Sequence, residues 1–283
     1  MSIVFAALLL AQISGGTPPT AIDDLFLPSG PSSDEAPIAS PDHRLSAQNE
    51  RMAQCLIAVR ENPATAVATA SAWAGDVGEN AAAAEPLLCL ALAYSALERW
   101  SAAADAFAEV RDLKPAADAL GRVRYGQLAG TTLLRAGETA RAVALLERAE
   151  NDAQAGALPA IAGSVALDLA AAQALAGRAE AAAAALARAR EAAPGDAETW
   201  LRSAAFAREA GDLAQAQDFV LSAAALAPRD AAVGLEAGII AALAGQDEAA
   251  RLSFASVIEI DPDGPEGERA RAYLAQLEEP VAP

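Results

Sequence analysis

Few residues in this chain have side chains suited to catalysis or metal binding. Its 283 residues include one histidine, His43, and two cysteines, Cys55 and Cys89. One imidazole and two thiols exclude the multi-histidine and cysteine-rich sites that bind zinc, so neither a metal nor another cofactor is expected. The cysteines retain one use, a disulfide in an oxidising compartment.

Sequence motifs for catalysis are also missing. The chain has no GxxxxGKS/T phosphate loop, no GxGxxG, no HExxH and no GxSxG. His43 follows a proline-rich segment and is expected at the surface, so a Ser-His-Asp triad has no credible base. Asp261 and Asp263 resemble the start of a calcium loop. However, Pro265 stands at a ligand position and Ala272 replaces the closing glutamate. We therefore predict that the protein is not an enzyme.

The composition predicts that the secondary structure of this chain, and therefore the scaffold of any functional site, is helical. Hydrophobic residues make up 54% of the chain and aromatic residues only 4%, because alanine is so abundant. Alanine favours helix and disfavours strand. Glycine can adopt the left-handed conformation that ends a helix, and proline stops a helix because it lacks the amide donor. Both residues recur at a spacing of 34, as Gly177, Gly211 and Gly245 and as Pro194, Pro228 and Pro262. These spacings predict repeated helix-turn-helix units.

The repeat resembles the tetratricopeptide repeat family, whose 34-residue signature reads W-x2-L-G-x2-Y, then A-x3-F, then P. One unit keeps Trp200, Ala216 and Pro228, and the next keeps Ala250 and Phe254. Most units have alanine where the family has larger residues. The resemblance implies an all-α, right-handed superhelical solenoid of about six units with a C-terminal capping helix. The predicted units are 47–80, 84–117, 123–162, 163–196, 197–230 and 231–264, followed by the cap at 265–279.

The last predicted helix is polar on one side, where Glu268, Arg269 and Arg271 lie. A solvent-facing cap on an open array needs such a side. The alternative is a helix that docks on a partner.

The resemblance also implies a concave groove, because the first helices of the family's units line a face that binds peptides or helices. Residues one turn apart on that face are mostly leucine, with a few polar neighbours. They are Leu88, Leu92, Arg124, Gln127, Leu134, Leu167, Leu201, Arg208, Leu235 and Ile239. One interpretation is an apolar trough for a peptide or amphipathic helix, with Leu88, Leu167, Leu201 and Leu235 at least partly exposed. The alternatives are that these leucines are inter-helix core, or that the chain's own proline-rich linker covers the trough.

A disulfide between Cys55 and Cys89 is expected because both fall on first helices of consecutive units. Equivalent points on such helices lie about 10 Å apart, whereas a bridge needs Cα atoms within about 7 Å. When the first unit is aligned with the second on Ala66 and Trp73, however, Cys55 lies almost one turn further along its helix than Cys89 does along the next. It can then tilt towards the facing helix. The alternative is two buried free thiols.

The N-terminus is typical of export. Within residues 1–16, Ile3 to Ala11 form an apolar run that is shorter than the about 20 residues of a membrane span. It resembles a secretory signal, although no Lys or Arg precedes it. The alternatives are a mis-chosen start codon or a short docking segment. Residues 17–45 are rich in proline and serine and predict a disordered linker. We expect a periplasmic or secreted protein with no integral membrane domain.

Charge narrows the class of partner. The formal net charge is −18 and the pI is about 4.4, which disfavours nucleic acid and favours basic partners. An acidic surface also keeps an alanine-rich chain soluble. Two functions remain open. One is a scaffold or adaptor in the cell envelope that binds a protein or peptide, and the other is a structural protein whose arrays self-associate.

Overall fold

A computed structural model describes residues 43–78 and 81–278 of the chain. These residues form α-helices and one short 3₁₀ turn, Ala81–Ala83, and none of them forms a strand. The segment 1–16 and nearly all of the predicted linker lie outside the described residues. The helices are α1 (His43–Glu61), α2 (Pro63–Val77), α3 (Ala84–Ala96), α4 (Trp100–Leu113), α5 (Ala119–Arg135), α6 (Thr139–Ala155), α7 (Pro159–Leu175), α8 (Ala179–Ala192), α9 (Ala197–Glu209), α10 (Leu213–Leu226), α11 (Ala231–Leu243), α12 (Asp247–Ile260) and α13 (Pro265–Glu278).

The helices pack as successive pairs in two layers. Each first helix packs against the second helix of its own unit, as α5 does on α6 and α9 on α10. First helices of neighbouring units also contact one another, as in α5 with α7 and α9 with α11. First helices therefore form the inner layer and second helices the outer layer. The predicted all-α repeat solenoid is confirmed.

The breaker residues act as the sequence predicts. Gly137, Gly177, Gly211 and Gly245 follow first helices with φ values of 75°, 70°, 84° and 74°. Second helices α8 and α10 end two residues before Pro194 and Pro228. A helix that reaches a proline loses an amide hydrogen bond, so the chain turns just before it.

Two predicted unit boundaries are wrong by about one helical turn. Helices α5 and α7 begin at Ala119 and Pro159, whereas the units were predicted to begin at 123 and 163. The Asp118 side chain caps α5 by accepting a hydrogen bond from the Gly121 amide at 2.9 Å. Pro159 suits the first turn of α7, where no amide donor is needed. Both helices are therefore longer at their N-terminal ends than predicted.

Glycines in first helices let second helices approach closely. A Cβ added at Gly238 would lie 2.4 Å from the ring of Phe254, and one at Gly130 would lie 2.6 Å from Leu146. Both distances are far below van der Waals contact. The small residues at these first-helix positions therefore permit close packing within a unit.

Helix α13 closes the array by packing on α12 and contacting α11. Its Ala270 is buried, and its Tyr273 ring stacks on Phe254 with centroids 5.4 Å apart. The charged residues Glu268 and Arg269 are exposed on its other side, as a cap requires. None of the described helices is both long enough and apolar enough to cross a membrane.

Candidate partner-binding surface

The predicted groove residues divide into an exposed set and a buried set. Leu88, Leu134 and Leu201 are partly exposed. The expectation that Leu167 and Leu235 are exposed is wrong, since they are only 8% and 3% exposed. Leu92 and Ile239 are buried as well, at 5% each.

The buried leucines point between helices rather than out of the inner layer. Leu167 belongs to a core cluster that also contains Val143 and Leu186 of the neighbouring second helices. Apolar residues at helical spacing occur in a core as readily as in a groove, which is why the pattern misled. For these four residues the alternative interpretation, inter-helix core, is the one the structure supports.

Arg208 is tied to the fold. Its Nε donates to Glu236 Oε1 at 2.6 Å, joining α9 to α11, and the two side chains are only 12% and 10% exposed. Burial raises the pKa of Glu236, and the nearby Arg208 opposes that rise. Sequence analysis missed Glu236. Removing one member of such a pair leaves a buried charge, so Arg208 serves stability.

Gln127 makes a contact between first helices that the sequence did not predict. Its Nε2 donates to Ser164 Oγ at 3.0 Å and to Asp168 Oδ2 at 2.6 Å, joining α5 to α7. Ser164 is exposed and Asp168 is partly exposed. Burial raises the pKa of Asp168, whereas the Gln127 hydrogen bond and the charge of Arg202 act in the opposite direction.

A spacing in the sequence could have revealed Asp168. It stands 34 residues before Arg202, which stands 34 residues before Glu236. Equivalent positions of three successive first helices thus carry charges of alternating sign. The polar line between first helices is as regular as the breaker residues.

The accessible part of the inner layer mixes polar and small apolar side chains. We call it the inner surface and define it by exposed and partly exposed positions on α5, α7 and α9. They are Arg124, Gln127, Thr131, Ser164, Asp168, Ala171, Leu201, Arg202 and Ala205. No group of three or more His, Cys, Asp or Glu residues within the described part of the chain could hold a metal ion. The side chains of the inner surface can bind another molecule through van der Waals contacts, hydrogen bonds and ion pairs.

Comparison with known proteins rests on structure. No family model matches the sequence, and no curated protein matches it. The C-terminal part of a TPR repeat-containing protein from Cytophaga hutchinsonii is 14% identical, with a TM-score of 0.60 over 80% of this chain and 87% of that one. PilW, a type IV pilus biogenesis factor, is 20% identical, with a TM-score of 0.58 over 80% of this chain and 98% of that one. MamA is 16% identical, with a TM-score of 0.51 over 71% of this chain and 98% of that one.

This array has the tetratricopeptide-repeat fold. The likeness spans nearly the whole of the compared chains, so the repeat units and the layer order are shared features. At these identities the similarity concerns the fold alone.

At the N-terminal end of the tetratricopeptide-repeat array, Cys55 of α1 and Cys89 of α3 are joined in a disulfide with Cα atoms 6.0 Å apart. This distance lies within the range that a disulfide bridges. A cleft of about 440 Å³ lies beside it, lined by residues of α1, α2 and α3 and walled by Trp73. Arg51 and Asp76 line the same cleft and form an ion pair at 3.8 Å. Sequence analysis predicted the pairing of the cysteines but not the cleft.

Proposed function

We propose that this protein is a non-enzymatic scaffold or adaptor of the cell envelope that binds a segment of a partner protein on its inner surface. The observation that carries the proposal is the accessible inner surface itself. It presents Ser164 and Asp168 on α7 and Leu201 on α9, all of them exposed or partly exposed. A surface with both apolar contacts and hydrogen-bonding groups suits recognition of an extended chain or a helix.

The buried leucines refine the proposal. With Leu167 and Leu235 in the core, the inner surface is no continuous apolar trough. Partner recognition then depends on polar groups together with isolated apolar residues such as Leu201. Binding of this kind is selective, because an unmatched partner leaves polar groups unpaired.

Site-specific photo-crosslinking in the native cell tests the proposal. A photoreactive residue at Ser164, exposed on α7, should crosslink to partner protein. The matched control is the same residue at Asp218, exposed on the outer helix α10. Crosslinks from Asp218 but not from Ser164 would contradict binding on the inner surface.

Self-association is the second candidate, and exposed leucines on the outer layer favour it. Leu221 of α10 and Leu252 of α12 are 57% and 69% exposed. Light scattering coupled to size-exclusion chromatography distinguishes the two functions. A monomer at micromolar concentration supports the adaptor, whereas growing oligomers that Leu252→Ser disperses support self-association.

The envelope location in this proposal is supported by the signal-like residues 1–16. We expect the mature protein to lack about the first dozen residues and to fractionate with the periplasm or medium. N-terminal sequencing of protein from the native cell checks this. A mature chain that starts at Met1 in the cytoplasmic fraction would remove the envelope from the proposal.

A further inference from the structure

The fold holds the Asp168 carboxylate in place through a neutral hydrogen-bond partner, so its negative charge is kept. Its Oδ2 accepts a hydrogen bond from Gln127 Nε2 at 2.6 Å, and the same nitrogen donates to Ser164 Oγ. Gln127 is neutral, so it orients the carboxylate but leaves its charge. The side chain is partly exposed, so a ligand can reach it.

The nearest cation on the next first helix is already engaged. Arg202 faces Asp168, but its Nε donates to Glu198 Oε1 at 2.6 Å. Arg202 therefore acts on Asp168 only as a nearby charge and forms no ion pair with it within 4 Å. By contrast, the carboxylate between α9 and α11, Glu236, has its own arginine in Arg208.

Glu236 thus has an arginine as its direct ion-pair partner, whereas the direct partner of Asp168 is the neutral Gln127. Burial raises the pKa of this carboxyl, so the free protein carries its ionised form at a cost in stability. A cation supplied by a partner would offset that cost. A carboxylate that is kept at a cost in stability and is partly exposed is a candidate for binding.

The surroundings leave room for a long side chain. Ala171 follows Asp168 by about one turn on α7, and Ala205 holds the same place relative to Arg202 on α9. Ser164, one turn before Asp168, is exposed. Small side chains on both sides leave open the approach to the carboxylate along the inner surface.

The charge of the molecule favours a basic occupant. The chain has 38 acidic residues against 20 Lys and Arg. Several of its arginines are already paired with its own carboxylates, including Arg141 with Asp105, Arg148 with Asp112 and Arg188 with Glu150. A field of this sign attracts cationic segments and repels anionic ones.

We propose that the inner surface over α5, α7 and α9 binds a partner segment through a Lys or Arg side chain that pairs with Asp168. Gln127 holds the carboxylate in place, and Leu201 contacts apolar residues of the segment beside the basic one. This inference rests on the proposed function and names the chemistry of its partner.

Peptide selection on the full-length protein tests this pairing. The probe is a displayed library of random peptides about twelve residues long, enough when extended to cross roughly three helices. Selection on the wild type is expected to enrich one Lys or Arg at a fixed position. The selected peptides should bind Asp168→Asn about tenfold more weakly or worse, since a charge-assisted hydrogen bond is lost.

The control variant is Asp218→Asn, which makes the same change on the outer helix α10 and gives the same net charge. Its affinity should stay within about twofold of the wild type, because long-range charge alone is screened by salt. Selected peptides without a basic residue, or equal affinity for Asp168→Asn, would overturn the pairing and leave the inner surface as the binding site. If no selected peptide crosslinks at Ser164, the proposed function fails, and this inference fails with it.

Discussion

Asp168 links stability to pH at the scale of a single residue. Burial raises its pKa in the fold above the ordinary value of 3.8, while Gln127 and Arg202 act against that rise. The folded state therefore holds the proton more tightly than the unfolded state does. Stability from this group is present at low pH and is lost as pH rises through the folded pKa.

We predict that Asp168→Asn raises the free energy of unfolding at pH 8. Asparagine keeps an oxygen that can accept the hydrogen bond from Gln127 and removes the desolvated charge. The advantage should vanish as pH falls towards 3.8. Urea unfolding at a series of pH values measures it. Lower stability of the variant at pH 8 would mean that the charge of Asp168 stabilises the fold.

Ala157 is the second residue whose backbone conformation has a testable cost in stability. It lies in the turn after α6 with φ of 51°, in the left-handed region that glycine occupies in the turns after first helices. That conformation costs a non-glycine residue about 1–2 kcal/mol, against roughly 0.4–1 kcal/mol of unfolded-state entropy that glycine adds. Ala157→Gly should therefore stabilise by about 0.5–1 kcal/mol.

The reverse change is Gly177→Ala, at φ of 70° in the turn after the first helix α7. It should destabilise by about 1 kcal/mol. Denaturant midpoints of both variants check the pair. If both substitutions moved the midpoint in the same direction, the left-handed turn would not explain these positions.

At the scale of elements, packing within a unit depends on the absence of a side chain in the first helix. We predict that Gly238→Ala destabilises by about 1–3 kcal/mol, because the added Cβ would lie 2.4 Å from the Phe254 ring. Gly75→Ala is the control, since nothing lies within 4 Å of its Cβ position in α2. It should stabilise by about 0.5–1 kcal/mol through helix propensity. Thermal unfolding compares the two, and a harmless Gly238→Ala would contradict the packing.

The Cys55–Cys89 disulfide acts on the first unit. It closes a loop with a sequence separation of 34, so the chain-entropy model assigns it roughly 3–4 kcal/mol. Reduction should release amide protection in α1 and α2 and leave α9 to α13 unchanged, because repeats contact only their neighbours. Hydrogen exchange with and without reductant measures this. Intact mass after alkylation of the unfolded, unreduced chain is the check, and two alkylated thiols would exclude the bridge.

Sequence predicted the elements better than the site. The spacing of glycine and proline fixes where helices end, because those effects are local. The start of α5 depends on which residue caps the helix, and the sequence offers more than one candidate. In the structure the cap is Asp118. Whether Leu167 is exposed depends on packing with Val143 and Leu186, which lie on other helices. Helical spacing alone cannot tell a core face from a groove.

At the scale of the whole array, second helices form an outer layer that packs against the first helices. The first helices form the inner layer, whose accessible residues are the inner surface. The sequence analysis named Gln127 but missed Asp168, because their contact joins residues 41 apart in units of unequal length. The extra turn of α7 shifts the register that a strict period of 34 assumes. A search for polar residues at that period would have identified Asp168, Arg202 and Glu236 together.

Hydrogen exchange of the full chain with and without a native partner tests the central claim most directly. The account predicts new protection in first helices α5, α7 and α9, whose accessible residues form the inner surface. Outer helices α6, α8 and α10 should exchange as in the free protein. Protection confined to the outer helices would contradict a scaffold that binds its partner on the inner surface.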